Sequence, residues 1–291
     1  MSHRLQIALI FIAPLLVLAG LLGVGALLGM KAPLLGRNYV VRMILPEPGG
    51  AVGLPEILGP EDASRPLVVI DAGHGGHDPG ASAEGLQEKA IALGLARALR
   101  DKLLREGGIR VAMTRDDDSY LVLEERAEIA RRLGADLFLS IHADSAGDKS
   151  AVTGASVYTL SERASSEAAA RFAARENSVD TVNGVELANQ DARVNAILID
   201  LAQRRSQQGS DEFARLIVRE GAEKLKFNPQ PLRSAALVVL KSPDVPSALF
   251  EAGFVSNPED AGRLASPEGQ ARFAEAMAQA IRIYFAREAG A

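Results

Sequence analysis

The sequence predicts an α/β fold: a single domain on a mostly parallel or mixed six-stranded sheet flanked by helices, interrupted by a long helical insertion. Three observations predict it. From Leu67 onward, short apolar runs bounded by glycine or proline alternate with longer segments of helical period. Two of the four histidines, His74 and His142, stand where such runs end, and ligands of open α/β sheets gather at the carboxyl ends of strands. Between about residues 162 and 230 the alternation stops and only helical patterns are found.

In chain order, Leu5 to Met30 comes first, an uncharged, mostly apolar run of about 26 residues. As a helix it spans roughly 39 Å, enough to cross a bilayer, where Pro14 is tolerated. Residues 1–30 are a signal anchor or a cleaved signal peptide. Length favours the anchor, since a cleavable signal has an apolar core of about 7–15 residues. Residues 31–66 read as a linker, because Pro33, Pro46, Pro48, Pro55, Pro60 and Pro66 defeat both helix and central strand. Within it, Asn38 to Leu45 has the pattern of an isolated strand.

The domain then covers 67–290. Leu67 to Ile70 is a buried strand. Gln87 to Glu106 is a helix with Ile91, Leu95, Leu99 and Leu103 on one stripe. Ile109 to Thr114 is a second strand, Leu123 to Leu133 a helix ended by Gly134, and Asp136 to Ile141 a third strand. Ala155 to Leu160, Ala235 to Leu240 and Ser247 to Phe250 complete six. Pro267 to Arg287 is the last helix, with Ser266 placed to cap it. The insertion is expected to hold three helices, Ser165 to Ser178, Val194 to Arg204 and Asp211 to Leu225.

Composition excludes several function classes. A formal net charge of −5 gives no polyanion-binding surface, so nucleic acid is not an expected partner. The chain has no cysteine, which excludes disulfides, thiolate metal sites and cysteine nucleophiles.

The chemistry therefore falls to histidines and carboxylates. His74 lies in a glycine-rich turn, Asp71-Ala72-Gly73-His74-Gly75-Gly76-His77, directly after the first strand, and His142 closes the third. Glu88 is the third member. At 100° per residue, Leu95 and Leu99 fall within about 20° of it, so a carboxylate sits in the middle of the stripe that faces the sheet. A buried carboxylate is costly unless paired or bound to metal. Two histidines and a glutamate, with water in the fourth position, form a catalytic zinc set, and one Zn2+ per chain is the expected cofactor. Such a site needs a base, and Glu251, ending the strand Ser247 to Phe250, is the candidate. His77 reads as an exposed loop residue, and Glu84 is the rival to Glu88 but belongs to the preceding loop.

The segments D-A-G-H-G-G-H-D-P-G-A, G-L-Q-E-K, M-T-R-D-D-D, L-E-E-R-A-E-I-A, L-F-L-S-I-H-A-D and F-E-A-G-F-V-S-N-P-E-D occur in that order. Together they resemble the type 3 family of zinc-dependent N-acetylmuramoyl-L-alanine amidases, over about residues 67 to 286. The resemblance implies His74, Glu88 and His142 as zinc ligands, Glu251 as the catalytic glutamate and peptidoglycan as substrate. The loop from His74 to Glu88 is one residue shorter than is usual in the family. The insertion is similar to the regulatory segment of the cell-separation amidases, in which a helix covers the site until a LytM-like activator displaces it. Glu176 best matches the glutamate that fills the open zinc position there. A periplasmic enzyme tethered to the inner membrane through residues 5–30, or secreted if the signal is cleaved, is the expectation. Two rival readings are a zinc peptidase acting on stem peptides and a membrane-anchored wall-binding scaffold.

Overall fold

Strand β1 (Leu67–Ala72) is apolar along most of its length because it lies inside the sheet and is covered on both faces. The computed structural model describes residues 53–147, 151–178, 181–182, 185–186, 196–242 and 244–290. The 5–30 span and the Asn38 to Leu45 strand lie outside the described residues. Among the described residues, no helix is long and apolar enough to cross a membrane.

The other strands of the main sheet are β4 (Arg110–Met113), β5 (Leu137–Asp144), β6 (Ala155–Leu160), β9 (Phe227–Ala235) and β10 (Ser247–Phe254). Their order is β4-β1-β5-β10-β6-β9. β1, β4, β5 and β10 run parallel, β6 is antiparallel to β10, and β9 is parallel to β6. The sheet is thus six-stranded and mixed, and its central strands end on one side. Two short hairpins complete the strands, β2 (Ser82–Ala83) with β3 (Leu86–Gln87), and β7 (Thr181–Val182) with β8 (Val185–Glu186).

The described helices are α1 (Glu88–Glu106), α2 (Leu123–Leu133), α3 (Glu167–Glu176), α4 (Ala196–Gly221), α5 (Pro258–Ala265) and α6 (Pro267–Glu288). α1 buries Ile91, Leu95, Leu99 and Leu103. α2 stops at Gly134, whose φ of 65° closes the helix in the left-handed region. Ser266 accepts from Gly269 N at 3.0 Å and starts α6. α1, α4 and α6 cover one face of the sheet, packing on Ile70, Leu139, Ile141 and Phe250. α2, α3 and a 3-10 turn (Val238–Leu240) cover the other, on Leu67, Val69, Phe138 and Leu249. Side chains alternate along a strand, so the second face continues at its carboxyl end into Asp71, Ser140, His142 and Glu251. The site grows out of that change from apolar to polar.

The structure corrects two expected elements. The strand placed at Ala235 to Leu240 is instead β9, Phe227–Ala235, and the apolar Val238–Leu240 forms the 3-10 turn. Pro229 and Pro231 argue against a central strand, but β9 is an edge strand hydrogen-bonded on one side only, where a missing N–H costs little. The two helices expected at 194–204 and 211–225 are one continuous helix, α4. Its polar middle is not a break. Ser210 Oγ donates to Ser206 O and accepts from Ser247 N, both at 2.8 Å, so this stretch docks on the start of β10. Phe213, Leu216 and Ile217 then build α4 into the core. The linker is tied down at its end, where Leu58 exchanges two backbone hydrogen bonds with Val111 on the β4 edge.

Candidate metal centre

Three strand ends and one helix start meet at the carboxyl side of the sheet. His74 follows β1 with a φ of 59°, unusual for a residue other than glycine. His142 is on β5 and Glu251 on β10, where they are register partners on adjacent parallel strands. Glu88 opens α1. All four are buried. Gly73 lets the β1 turn pass over the His142 ring, since a Cβ there would lie 2.5 Å from ring atoms.

The donor atoms converge. Glu88 Oε1 is 3.1 Å from His74 Nε2 and 3.1 Å from His142 Nδ1. Glu176 Oε2, brought in by α3, is 3.6 Å from His74 Nε2 and 3.3 Å from His142 Nδ1. Donor atoms of His74, His142 and Glu176 all lie within 4.8 Å of one another. A regular tetrahedron with ligand bonds of about 2.0–2.2 Å has edges of about 3.3–3.6 Å. His74 Nε2 makes no hydrogen bond despite its short contact with Glu88, while its Nδ1 is 2.6 Å from Asp78 Oδ2. A buried nitrogen close to an oxygen but hydrogen-bonded to nothing suits two lone pairs aimed at a common point. The donor set fits a divalent cation.

The electrostatics match this. Burial opposes charge on Glu88, but the His74 and His142 imidazoles outweigh it and hold the carboxyl well below the usual range. Glu88 also accepts from Ala81 N at 2.8 Å and Ala143 N at 2.9 Å. Burial lowers the His74 pKa, yet the Glu88 charge and the Asp78 hydrogen bond carry it well above the ordinary value. Glu176 is pushed up to about 7, first by burial, with the imidazoles pulling the other way. Glu251 is pushed well above the ordinary value by burial and by the carboxylates of Asp144, Glu88 and Glu176. Its Oε2 accepts from Asp144 N at 2.9 Å, and its Oε1 has no hydrogen-bond partner. A cavity of about 250 Å³ adjoins the cluster, lined in part by Asp78, Gly80, Asp144 and Arg175.

His77 is exposed and stacks with Tyr120 at 4.1 Å, and Glu84 is exposed in the β2–β3 turn, away from the cluster. Sequence reasoning missed Asp78, Asp144 and Arg175. Asp78 stands four residues from His74, which was a usable signal. Arg175 reaches Asp144 at 2.5 Å from 31 residues away, which had none.

Two histidines and a glutamate converging on one point, with a further buried carboxylate beside them at the carboxyl edge of a mixed sheet, have the parts of a metal-assisted hydrolase. The family model for N-acetylmuramoyl-L-alanine amidase matches residues 68–282. The chain is 39% identical over 224 residues to the N-acetylmuramoyl-L-alanine amidase AmiA of Salmonella typhimurium, covering 76% of this chain and 77% of that one. It is 38% identical over 227 residues to AmiA of Escherichia coli, covering 77% and 78%. Among solved structures, N-acetylmuramoyl-L-alanine amidase AmiC2 of Nostoc punctiforme superposes with a TM-score of 0.57 at 29% identity, covering 77% of this chain and 98% of that one. The chain belongs to the N-acetylmuramoyl-L-alanine amidase family.

Proposed function

We propose that the chain is a zinc-dependent amidase of peptidoglycan, hydrolysing the amide bond between N-acetylmuramic acid and the L-alanine that begins the stem peptide. The observation that carries this reading is the approach of His74 Nε2 and His142 Nδ1 to Glu88 Oε1, each at 3.1 Å, beside a buried glutamate with one unpartnered oxygen. His74, Glu88 and His142 would hold one zinc ion. Bound there, zinc would supply a Lewis acid for the lactyl carbonyl and make water nucleophilic near neutral pH.

The chain's own residues do the rest. Asp78 accepts from the Nδ1–H of His74 and leaves the Nε2 lone pair turned toward the cluster. Glu251 is held through Oε2 by the Asp144 amide, so Oε1 is available to take the proton of the attacking water. Burial and the neighbouring carboxylates raise its proton affinity, the direction a proton acceptor needs. The same carboxyl then returns a proton to the departing amine of L-alanine.

Glu176, on α3, lies 3.6 Å from His74 Nε2 and 3.3 Å from His142 Nδ1. This supports an autoinhibited resting state, relieved when a LytM-like activator displaces α3. Residues 67–290 are the catalytic domain, with a regulatory insertion beginning near 162. The buried second half of α4 belongs to the core rather than to any removable part. The apolar run of residues 5–30 supports a periplasmic enzyme held at the inner membrane, acting in wall remodelling and daughter-cell separation.

The test is digestion of purified sacculi with and without a zinc chelator. Wild type should release intact stem peptides from glycan, and chelation should stop it. Glu251→Gln should keep the metal and lose the lysis. Full activity in that variant removes Glu251 from its role, and shortened stems instead of intact ones would indicate a peptidase.

A further inference from the structure

The motifs Met113-Thr114-Arg115-Asp116 and Leu123-Glu124-Glu125-Arg126 supply no donor to the cluster, yet each sends an arginine beneath it. Arg115 is 3% and Arg126 2% exposed, and guanidinium groups are seldom buried so deeply unless fully paired. Arg126 donates to Asp71 Oδ1 at 2.9 Å, Ala72 O at 2.8 Å, His74 O at 2.9 Å and Leu121 O at 3.1 Å. Arg115 donates to Ala72 O at 2.8 Å, Gly73 O at 2.8 Å, Lys89 O at 2.9 Å and Asp117 O at 2.8 Å. Three consecutive carbonyls, those of Ala72, Gly73 and His74, are therefore gripped by two guanidinium forks. Asp71, fully buried, anchors the arrangement by also accepting from Thr114 Oγ1 and Ser140 Oγ, each at 2.6 Å.

The grip falls where the backbone needs it. His74 has a φ of 59°, a conformation that residues other than glycine hold only with outside support. Arg126 binds the carbonyl of that same residue. Asp78 fixes the ring of His74 at Nδ1, but a ring can be aimed only from a backbone that is itself fixed. Arg115 also joins the β1 turn to α1 through Lys89 O, one residue after Glu88. Two of the cluster's donors are thus held in register by one side chain.

We propose that Arg115 and Arg126 are positioning residues of the metal centre, whose forks hold the Ala72–His74 backbone so that His74 Nε2 faces the other donors and thereby set zinc affinity. The inference rests on the reading of His74 as a zinc ligand. Lysine at either position keeps the charge but gathers its three donors on one nitrogen, so it cannot span the separated carbonyls that the planar, five-donor fork reaches.

The test uses the full-length protein, with zinc affinity measured by chelator competition and thermal unfolding measured on the metal-free forms. Arg126→Lys and Arg115→Lys should each weaken zinc binding by about 10–100-fold, the range for residues that orient a ligand from behind. Ile281→Ala, a cavity in α6, should lower the melting temperature without loosening zinc. His74→Ala should lose the metal. If both arginine variants bind zinc like wild type while His74→Ala does not, the positioning role is wrong and the ligand reading stands. Wild-type affinity in His74→Ala overturns both. Equal loosening in Ile281→Ala would show that affinity merely follows global stability, which also overturns the proposal. Should Arg126→Lys fail to fold, Arg115→Lys decides, since it leaves the Arg126–Asp71 ion pair in place.

Discussion

Gly80 shows how little room the cluster leaves. A Cβ there would lie 2.6 Å from His74 Cδ2 and 2.7 Å from Glu88 Oε2, and φ is 64°. Alanine would be strained in its backbone and would press on two of the donors at once. Overpacking of this kind costs typically about 1–3 kcal/mol, and here it falls on two residues proposed to hold zinc. Gly80→Ala should therefore bind zinc at least about tenfold more weakly in chelator competition. Gly85, also at positive φ (82°) but with nothing within 4 Å of its Cβ, is the control. Its alanine variant should show backbone strain in a lower melting temperature and leave zinc affinity alone. Equal affinity in both variants would mean that His74 and Glu88 are not confined by this turn.

α3 is an element that exists by docking. At 10 residues it is shorter than the roughly 12–15 that an isolated helix needs in water. Ser166 caps it, accepting from Ala169 N at 3.1 Å. Ala169, Phe172, Ala173 and Glu176 form its one buried face, at the spacing of a helical stripe. Phe172 stacks on Tyr158 at 4.5 Å, and Arg175 pairs with Asp144. Asn177 clamps the far end, donating to Ala236 O at 2.7 Å and accepting from Val238 N at 2.9 Å. Its buried face is only four residues, so its release costs less than opening the whole core. If Glu176 is the inhibitory contact, Glu176→Ala should raise the basal rate of sacculus digestion severalfold while zinc stays bound. A lower rate together with lost zinc would make Glu176 a required ligand instead.

At the scale of the whole molecule, two buried carboxylates pull stability in opposite directions as pH changes. Burial pushes Asp71 up, but the Arg126 charge and the Ser140 and Thr114 hydroxyls outweigh it and hold the carboxyl below the ordinary 3.8. The stability it adds is fully present above that ordinary value and is lost as pH falls through the folded one. Glu251 has the opposite sign. Its folded pKa lies well above 4.5, so the unfolded chain gives up that proton first, and stability falls as pH climbs from 4.5 through the folded value. The metal-free protein should thus be most stable in mild acid. In a pH series of melting temperatures, Glu251→Gln should make the decline toward neutrality shallower, the remainder belonging to Asp144 and Glu176, which are pushed up to about 6 and about 7, and should melt higher than wild type at pH 7. Asp71→Asn should melt lower at pH 7 and show a flatter acid limb. A Glu251→Gln protein less stable than wild type at pH 7 would contradict this account.

Much of the architecture was legible along the chain because it depends on near neighbours. Helix α2 with its Gly134 stop and the Ser266 cap of α6 follow from local spacing, and the placement of His74, His142 and Glu251 follows from strand ends. The inward turn of Glu88 followed from one helical stripe. Tertiary structure alone decided the rest, for a reason of distance. Pro229 and Pro231 are compatible with a strand only because β9 lies at the sheet's edge, and edge position is a property of the whole sheet. Arg126 meets Asp71 across 55 residues. Arg115 and Glu176 likewise take their meaning from partners far away in sequence. A local pattern can show that a side chain will be buried, but only the closed fold supplies the groups that make burying a charge worthwhile.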